Sequence, residues 1–314
     1  MKILVTADWH IRGERPLCRL DEDWIESQRK TIAQIREAFF HNGCEQIWIL
    51  GDLFDAPRCA TAAVNMLIGE LKKFPPNSVK ILCGNHDLKD HNYNNLEECS
   101  IGTLKKIFED VPGCLMRGGV EISVSANPFA LDDLQSNAEV ICTHQLTFPN
   151  EKARPMPGCG VLAQDLLNTW NRAEIIFTGD YHHGYIYKET ETTPFMVAAT
   201  GRYVVTPGCI NIQKADELDY EPSVVIWDTD EVIGASNQPF EIVYLDPQAE
   251  FCTRDHIEAR EQNEAQLAEV VETIKGGSEI TLDFDSNLAA AVAKCDEKIV
   301  AEYGLVRQEV NAEK

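Results

Sequence analysis

The chain has 314 residues and is 44% hydrophobic, long and apolar enough to bury a full core, and the length predicts one large domain with a smaller appendage. Its 28 basic and 51 acidic residues give a net charge of −23, with acidity spread along the chain, which argues against a generic grip on nucleic-acid phosphates. A polyanionic substrate would have to be drawn in locally, by metal ions and a few placed arginines. The longest apolar stretches are strand-sized and the opening strand runs straight into polar residues, so the reading expects no membrane span, no secretory leader and a cytoplasmic protein. The eleven cysteines are odd in number and show no C-x-x-C spacing, which reads as reduced, mostly buried thiols.

In chain order, apolar runs at 2–6, 46–50 and 79–83 read as buried strands, separated by amphipathic helices over 21–41 and 60–73. Further runs at 140–143 and 175–178, with strand-like segments at 120–124, 185–188, 195–198, 223–228 and 241–245, predict a second sheet packed on the first. The fold class expected is α/β, a two-sheet α-β-β-α sandwich over residues 1–246. Residues 247–314 read as a small α+β cap-like or partner-binding unit: a helix over 254–275, a strand-like stretch at 279–284 and a helix over 288–303.

Polar clusters follow five of these strands, where α/β folds converge their sites. Asp8 and His10, two apart, form the first; alone they read as readily as solvated loop residues. Asp52 follows Gly51, and Asn85-His86-Asp87 follows Gly84, each glycine letting the chain turn sharply at a strand end. Asp52 offers a carboxylate able to bridge two cations and Asn85 a neutral amide oxygen suited to hard metals. His144 and the pair Asp180 and His182 end two later strands; singly, either histidine suits a core or capping role.

Taken in order, these motifs resemble the calcineurin-like metallophosphoesterases over residues 1 to about 230. The resemblance implies two divalent ions, manganese or else magnesium: one held by Asp8, His10, Asp52 and His182, the other by Asp52, Asn85, His144 and the residue at 180. The family usually has histidine there; Asp180 either ligates through oxygen or leaves that site weak. His86 resembles the histidine that faces the scissile phosphate and helps the leaving oxygen depart, with Asp87 either hydrogen-bonding it or capping a turn, and His183 next to the ligands. The stretch around Asp8-Trp9-His10, the Gly51-to-Asp55 segment and Pro207-Gly208-Cys209 are similar to SbcD-type DNA repair exonucleases. That likeness implies DNA as substrate, with an SbcC-type ATPase or a second copy of the chain as partner. Arg12, Arg15 and Arg202, with Arg19 and Arg154, are candidate phosphate contacts or merely solvated charges, and Asp55 either braces the site or caps the second helix. Two other readings stay open: a phosphatase or phosphodiesterase on a small nucleotide, favoured by the charge of −23, and a non-catalytic docking subunit.

Overall fold

The computed structural model describes residues 1–127, 137–189, 201–231, 238–276, 284–295, 299–301 and 303–304. It divides into two compact units, Met1–Cys252 and Thr253–Lys314. In the first, the elements are β1 (Lys2–Thr6), α1 (Trp24–His41), β2 (Gln46–Leu50), α2 (Thr61–Leu71), β3 (Val79–Leu82), α3 (Ser100–Lys105), β4 (Cys114–Arg117), β5 (Val120–Ala126) and β6 (Val140–Cys142). They continue with β7 (Thr147–Phe148), β8 (Val161–Leu162), α4 (Ala163–Thr169), β9 (Ile175–Phe177), β10 (Tyr185–Lys188), β11 (Tyr203–Thr206), β12 (Ser223–Asp228) and β13 (Phe240–Tyr244). The second unit contributes α5 (Asp255–Gly276) and α6 (Phe284–Val292).

Two sheets form the body, one in the order β13-β12-β1-β2-β3 and one in the order β10-β11-β9-β6-β5-β4, while β7 and β8 pair separately. In the first sheet β1, β2 and β3 are parallel; in the second, β11, β9, β6 and β5 are. Strand alternation explains the layering, because successive side chains point to opposite faces and here both faces are covered. Ile3 and Val5 join Trp48 and Leu50 against Val140, Ile175 and Phe177 of the other sheet. Leu4, Ile47 and Ile49 face the other way, onto Ile32, Ile35, Phe39 and Leu67 of α1 and α2. On the far side, Ile141, Ile176 and Val204 pack on Leu166, Leu167 and Trp170 of and beside α4. The result is the expected α-β-β-α sandwich.

Local chemistry moves some boundaries. Helix α1 begins at Trp24 rather than Asp21, because Asp23 caps it by accepting from the Glu26 amide. Asp21 instead takes both ends of the Arg19 guanidinium. Strands β4 and β11 and helices α3 and α4 went unmarked in the sequence because they are short, four to seven residues, too brief for a period to register. The strand expected at 195–198 lies outside the described residues, as does the one at 279–284 except for Phe284, which opens α6. No described helix is long and apolar enough to cross a membrane. All eleven cysteines are free; six are buried and Cys114 is exposed.

Candidate metal centre

The loops leaving β1 and β2 run side by side past the ends of their strands. Asp8 N–H donates to Gly51 O at 3.1 Å, His10 N–H to Asp52 O at 2.9 Å and Ile11 N–H to Leu53 O at 2.9 Å. Within these loops Asp8, His10 and Asp52 carry φ of 53°, 44° and 49°, and across the crevice Asp180 carries 70°. Left-handed backbone costs a residue with a Cβ about 1–2 kcal/mol, and such strain gathers at functional sites. It aims three side chains into one crevice, where all three are at least 95% buried, His10 the least at 5% exposed.

Of four groups of donor atoms mutually within 4.8 Å among the described residues, two hold the expected ligands, Asp8 with His10 and His182 and Asp8 with Asp52 and His144; the others are His10 with Asp55 and His86, and His182 with Cys209 and Glu217. Asp8 is common to the first two, and Asp52, in the second, also nears the first, its Oδ2 3.1 Å from His144 Nε2 and 3.8 Å from His10 Nε2. The side-chain oxygen of Asn85 faces both Asp52 carboxylate oxygens and His144 Nε2 at 3.0–3.2 Å, acceptor against acceptor unless the amide turns over. Asp8 Oδ2 and His10 Nδ1 are buried without a hydrogen-bond partner. Orphaned and opposed acceptors of this kind are costly in a dry site. Oxygen and imidazole donors together suit divalent metal ions, so the donor set fits bound divalent ions.

The ring nitrogens are sorted by what lies behind them. His144 Nδ1 donates to Leu50 O at 2.7 Å, which turns Nε2 towards Asp52. Gly51 and Gly179 flank that ring: a Cβ on either would fall within 2.4 Å of Nδ1. For Gly179, and for Gly84, whose Cβ would meet Asp52 Oδ1 at 2.1 Å, the need for glycine is close approach; only Gly51 also needs the left-handed φ, of 94°. His182 Nδ1 bonds the buried Glu217 carboxylate, and its Nε2 lies 3.0 Å from His10 Nε2.

Electrostatics follow from burial and proximity. Burial raises the Asp8 carboxyl to about 6 despite the imidazoles of His144 and His182. Burial also opposes ionisation of Asp52, but His144 beside it holds its carboxyl well below the usual range. Burial disfavours charge on His144 too, yet Asp52 and Asp8 raise it to about 10. His10 goes the other way: burial, with His182 and His86 close by, keeps it well below the ordinary imidazole value.

Around this cluster the expected residues take varied places. His86 is exposed, edge-on to His10 at 5.0 Å between ring centroids; its amide donates to Asp52 Oδ1 and its Nδ1 meets Asp55 O at 3.0 Å. Asp55 braces the site, 3.0 Å from Arg12 and 3.7 Å from His10 Nδ1, whereas α2 has no side-chain cap. Asp87 does not bond His86. It is fully buried and accepts from the amides of Leu53, Phe54 and Gly84, tying the β2 and β3 loops together.

Asp180 enters chiefly through its backbone, its N–H donating to Asp8 Oδ1 at 3.0 Å. Its carboxylate is in neither donor group, although its charge is felt at Asp8 and His144. His183 faces Tyr181 and Tyr220 rather than the ligands.

Three arginine expectations need correction. Arg202 lies at the entry of β11, at the opposite end from the site, and binds Glu189 through two nitrogens and the carbonyls of Leu167 and Trp170. Arg19 is buried on Asp21, Pro247 O and Cys252. Arg154 pairs with Glu151 and Gly160 O. Each guanidinium holds a loop in place because a carbonyl or carboxylate is nearer to it than the crevice. Arg15 stays exposed, donating to Asp21 O, and Arg12, half-exposed beside Asp55, is the one arginine of the set joined to the cluster.

The Pro207-Gly208-Cys209 turn, marked in the sequence, and the unmarked residues Gln213 and Glu217 after it close the far wall. Gly208, at φ of 82°, lets Cys209 N–H donate to His182 O at 2.9 Å. Gln213 donates through its amide nitrogen to Trp9 O and His10 O, and Glu217 reaches His182. No spacing signals them, since Gln213 sits in a loop and Glu217 ends the short 3-10 turn Ala215–Glu217, about thirty or more residues past His182.

The family model for calcineurin-like phosphoesterases matches residues 1–155. Among solved structures the chain is similar to an archaeal phosphodiesterase, at 13% identity over 78% of this chain and 100% of that one, with a TM-score of 0.35. It is similar to the phosphoesterase YfcE from E. coli at 17% identity, 78% and 100% coverage and a TM-score of 0.35. A putative 5′-nucleotidase from Staphylococcus aureus matches at 14% identity over 85% of this chain and 58% of that one, with a TM-score of 0.46. No curated protein is a significant match. The family match spans Asp8, His10, Asp52, Asn85 and His144, with Asp180 and His182 beyond it, and places residues 1–155 in the calcineurin-like phosphoesterase family.

Proposed function

We propose that this chain is a two-metal phosphodiesterase acting on DNA, a nuclease of SbcD type that works with manganese or magnesium. The family's chemistry, metal-dependent phosphoester hydrolysis, is its foundation. The observation that carries the two-metal part is Asp52 Oδ2, which faces His144 Nε2 at 3.1 Å and His10 Nε2 at 3.8 Å and so adjoins both donor groups. Asp8, His10, His182 and Asp52 would hold one ion, and Asp52, Asn85 and His144 the other. Bound divalent ions supply Lewis acidity and charge neutralisation at a phosphoryl group.

The chain's own residues do the rest. The backbone carbonyl behind His144 and the carboxylate behind His182 fix which ring nitrogen each presents. His86, exposed at the crevice with Nδ1 engaged by Asp55 O, keeps Nε2 to meet a leaving oxygen. Asp87 holds the peptide on which Asn85 and His86 sit.

DNA is favoured by the Pro207-Gly208-Cys209 turn, folded onto His182 as the resemblance to SbcD-type enzymes implies, and by Arg12 at the rim. An SbcC-type ATPase and a second copy of the chain are the partners that reading brings. The net charge of −23 favours a second reading, a small-nucleotide phosphodiesterase or phosphatase. End-labelled DNA and bis-p-nitrophenyl phosphate, each incubated with manganese and with chelator, separate the two. Degradation of both only with metal supports the nuclease, turnover of the small ester alone the second reading, and turnover of neither contradicts both.

A further inference from the structure

Glu217 belongs to none of the sequence motifs, yet it is 3% exposed and spends both carboxylate oxygens beside the first donor group. Oε1 bonds His182 Nδ1, while Oε2 accepts from the amides of Gln213 at 2.9 Å and Lys214 at 3.1 Å. Gln213 in turn donates to His10 O at 3.0 Å, so one short segment braces both histidines of that group. His144, in the other group, is backed only by a neutral carbonyl, Leu50 O.

We propose that Glu217 is a positioning residue for the first metal site: it fixes His182 as the Nδ1–H tautomer, presents Nε2 as a charge-reinforced ligand, and makes that site the first to fill. The inference rests on the metal-dependent reading above. A carboxylate behind a metal-binding imidazole orients the ring and raises its basicity, and its loss typically costs 10- to 100-fold in metal affinity. A neutral carbonyl orients without the added charge, which leaves the His144 site the weaker of the two.

The division of labour between the two oxygens gives the test. In Glu217→Gln the side-chain oxygen can stay on the Gln213 and Lys214 amides, so the loop remains clamped. Its NH2 group then faces His182 Nδ1 and drives the proton to Nε2, the nitrogen the metal needs. Glu217→Ala removes both functions. Manganese is titrated calorimetrically into the full-length protein and both variants, nitrogen-15 correlation spectra report the His182 tautomer, and thermal unfolding in chelator reports the fold.

Two binding events are expected in the wild type, the tighter one weakened about 10- to 100-fold in Glu217→Gln and the weaker one unchanged. The His182 tautomer should switch while unfolding in chelator stays at the wild-type temperature. If Glu217→Ala does not fold, Glu217→Gln carries the test alone. Wild-type affinity at both sites in Glu217→Gln, or an unchanged His182 tautomer, overturns the proposal. A wild type that binds no divalent ion overturns the metal-dependent reading instead.

Discussion

Asp8 and Asp52 hold left-handed backbone at φ of 53° and 49°, and that strain can be measured apart from metal binding. At each position the alanine and glycine variants lose the same carboxylate, including the bonds that Asp8 Oδ1 takes from the Asp180 amide and Asp52 Oδ1 from the His86 amide. They differ only in the Cβ. Alanine keeps a left-handed cost of about 1–2 kcal/mol. Glycine escapes it but gives up about 0.5–1 kcal/mol more conformational entropy on folding. The balance leaves Asp8→Gly and Asp52→Gly each about 0.5–1 kcal/mol more stable than the matching alanine variant. Asn65, exposed within α2, provides the opposite sign: there Asn65→Ala should exceed Asn65→Gly by about 1 kcal/mol. Urea unfolding in chelator, which removes any metal contribution, reads all six variants on one scale. Alanine variants as stable as the glycine ones at both aspartates would refute the claim that these loops store strain.

Other expectations follow from single residues. His86→Ala should lower turnover about 10²- to 10⁴-fold with both ions still bound by calorimetry, as suits a group acting on the leaving oxygen; lost ions would make it a ligand. Asp87→Ala strands three buried backbone donors and should cost about 3–5 kcal/mol in urea unfolding, whereas a loss under 1 kcal/mol would mean that water replaces the carboxylate. Arg202→Ala should cost about 2 kcal/mol of stability through its pair with Glu189 and leave KM for DNA alone; a raised KM would return it to the substrate path. For Asp21, burial opposes the charge, but the Arg19 guanidinium holds its carboxyl below the ordinary 3.8. A depressed carboxylate contributes stability above 3.8 that is lost as pH falls through the lower folded value, so the gap between wild type and Asp21→Asn should be widest near neutrality and shrink below pH 3.8. A gap that does not change with pH would show that the pair adds no charge-dependent stability.

Much of this site was legible because its residues come at strand ends, in a fixed order, beside glycines. Asp8, His10, Asp52, Asn85, His144 and His182 each follow an apolar run by one to four residues, and the sheets carry them to one crevice. The sandwich itself was legible from the buried strands, since Ile3, Val5, Trp48 and Leu50 face one layer and Leu4, Ile47 and Ile49 another. What stayed hidden depends on side-chain reach through space. Nothing in the spacing says that Asp87 turns away from its neighbour His86 to take three amides, or that Arg19 and Arg202 point into carbonyl pockets. Glu217 sits 35 residues beyond His182, at the end of a 3-10 turn of three residues, too short to show a period, and only the folded chain brings them together.

The bridging role of Asp52 is the centre of the account, and manganese titration of Asp52→Ala beside the wild type, with diester hydrolysis followed in the same samples, tests it most directly. Two ions per chain and metal-dependent turnover are expected in the wild type, with both lost together in the variant, because Asp52, which comes nearer to both His10 and His144 than Asp8 does, is gone. Asp52→Ala that still binds two ions and hydrolyses the ester would contradict it.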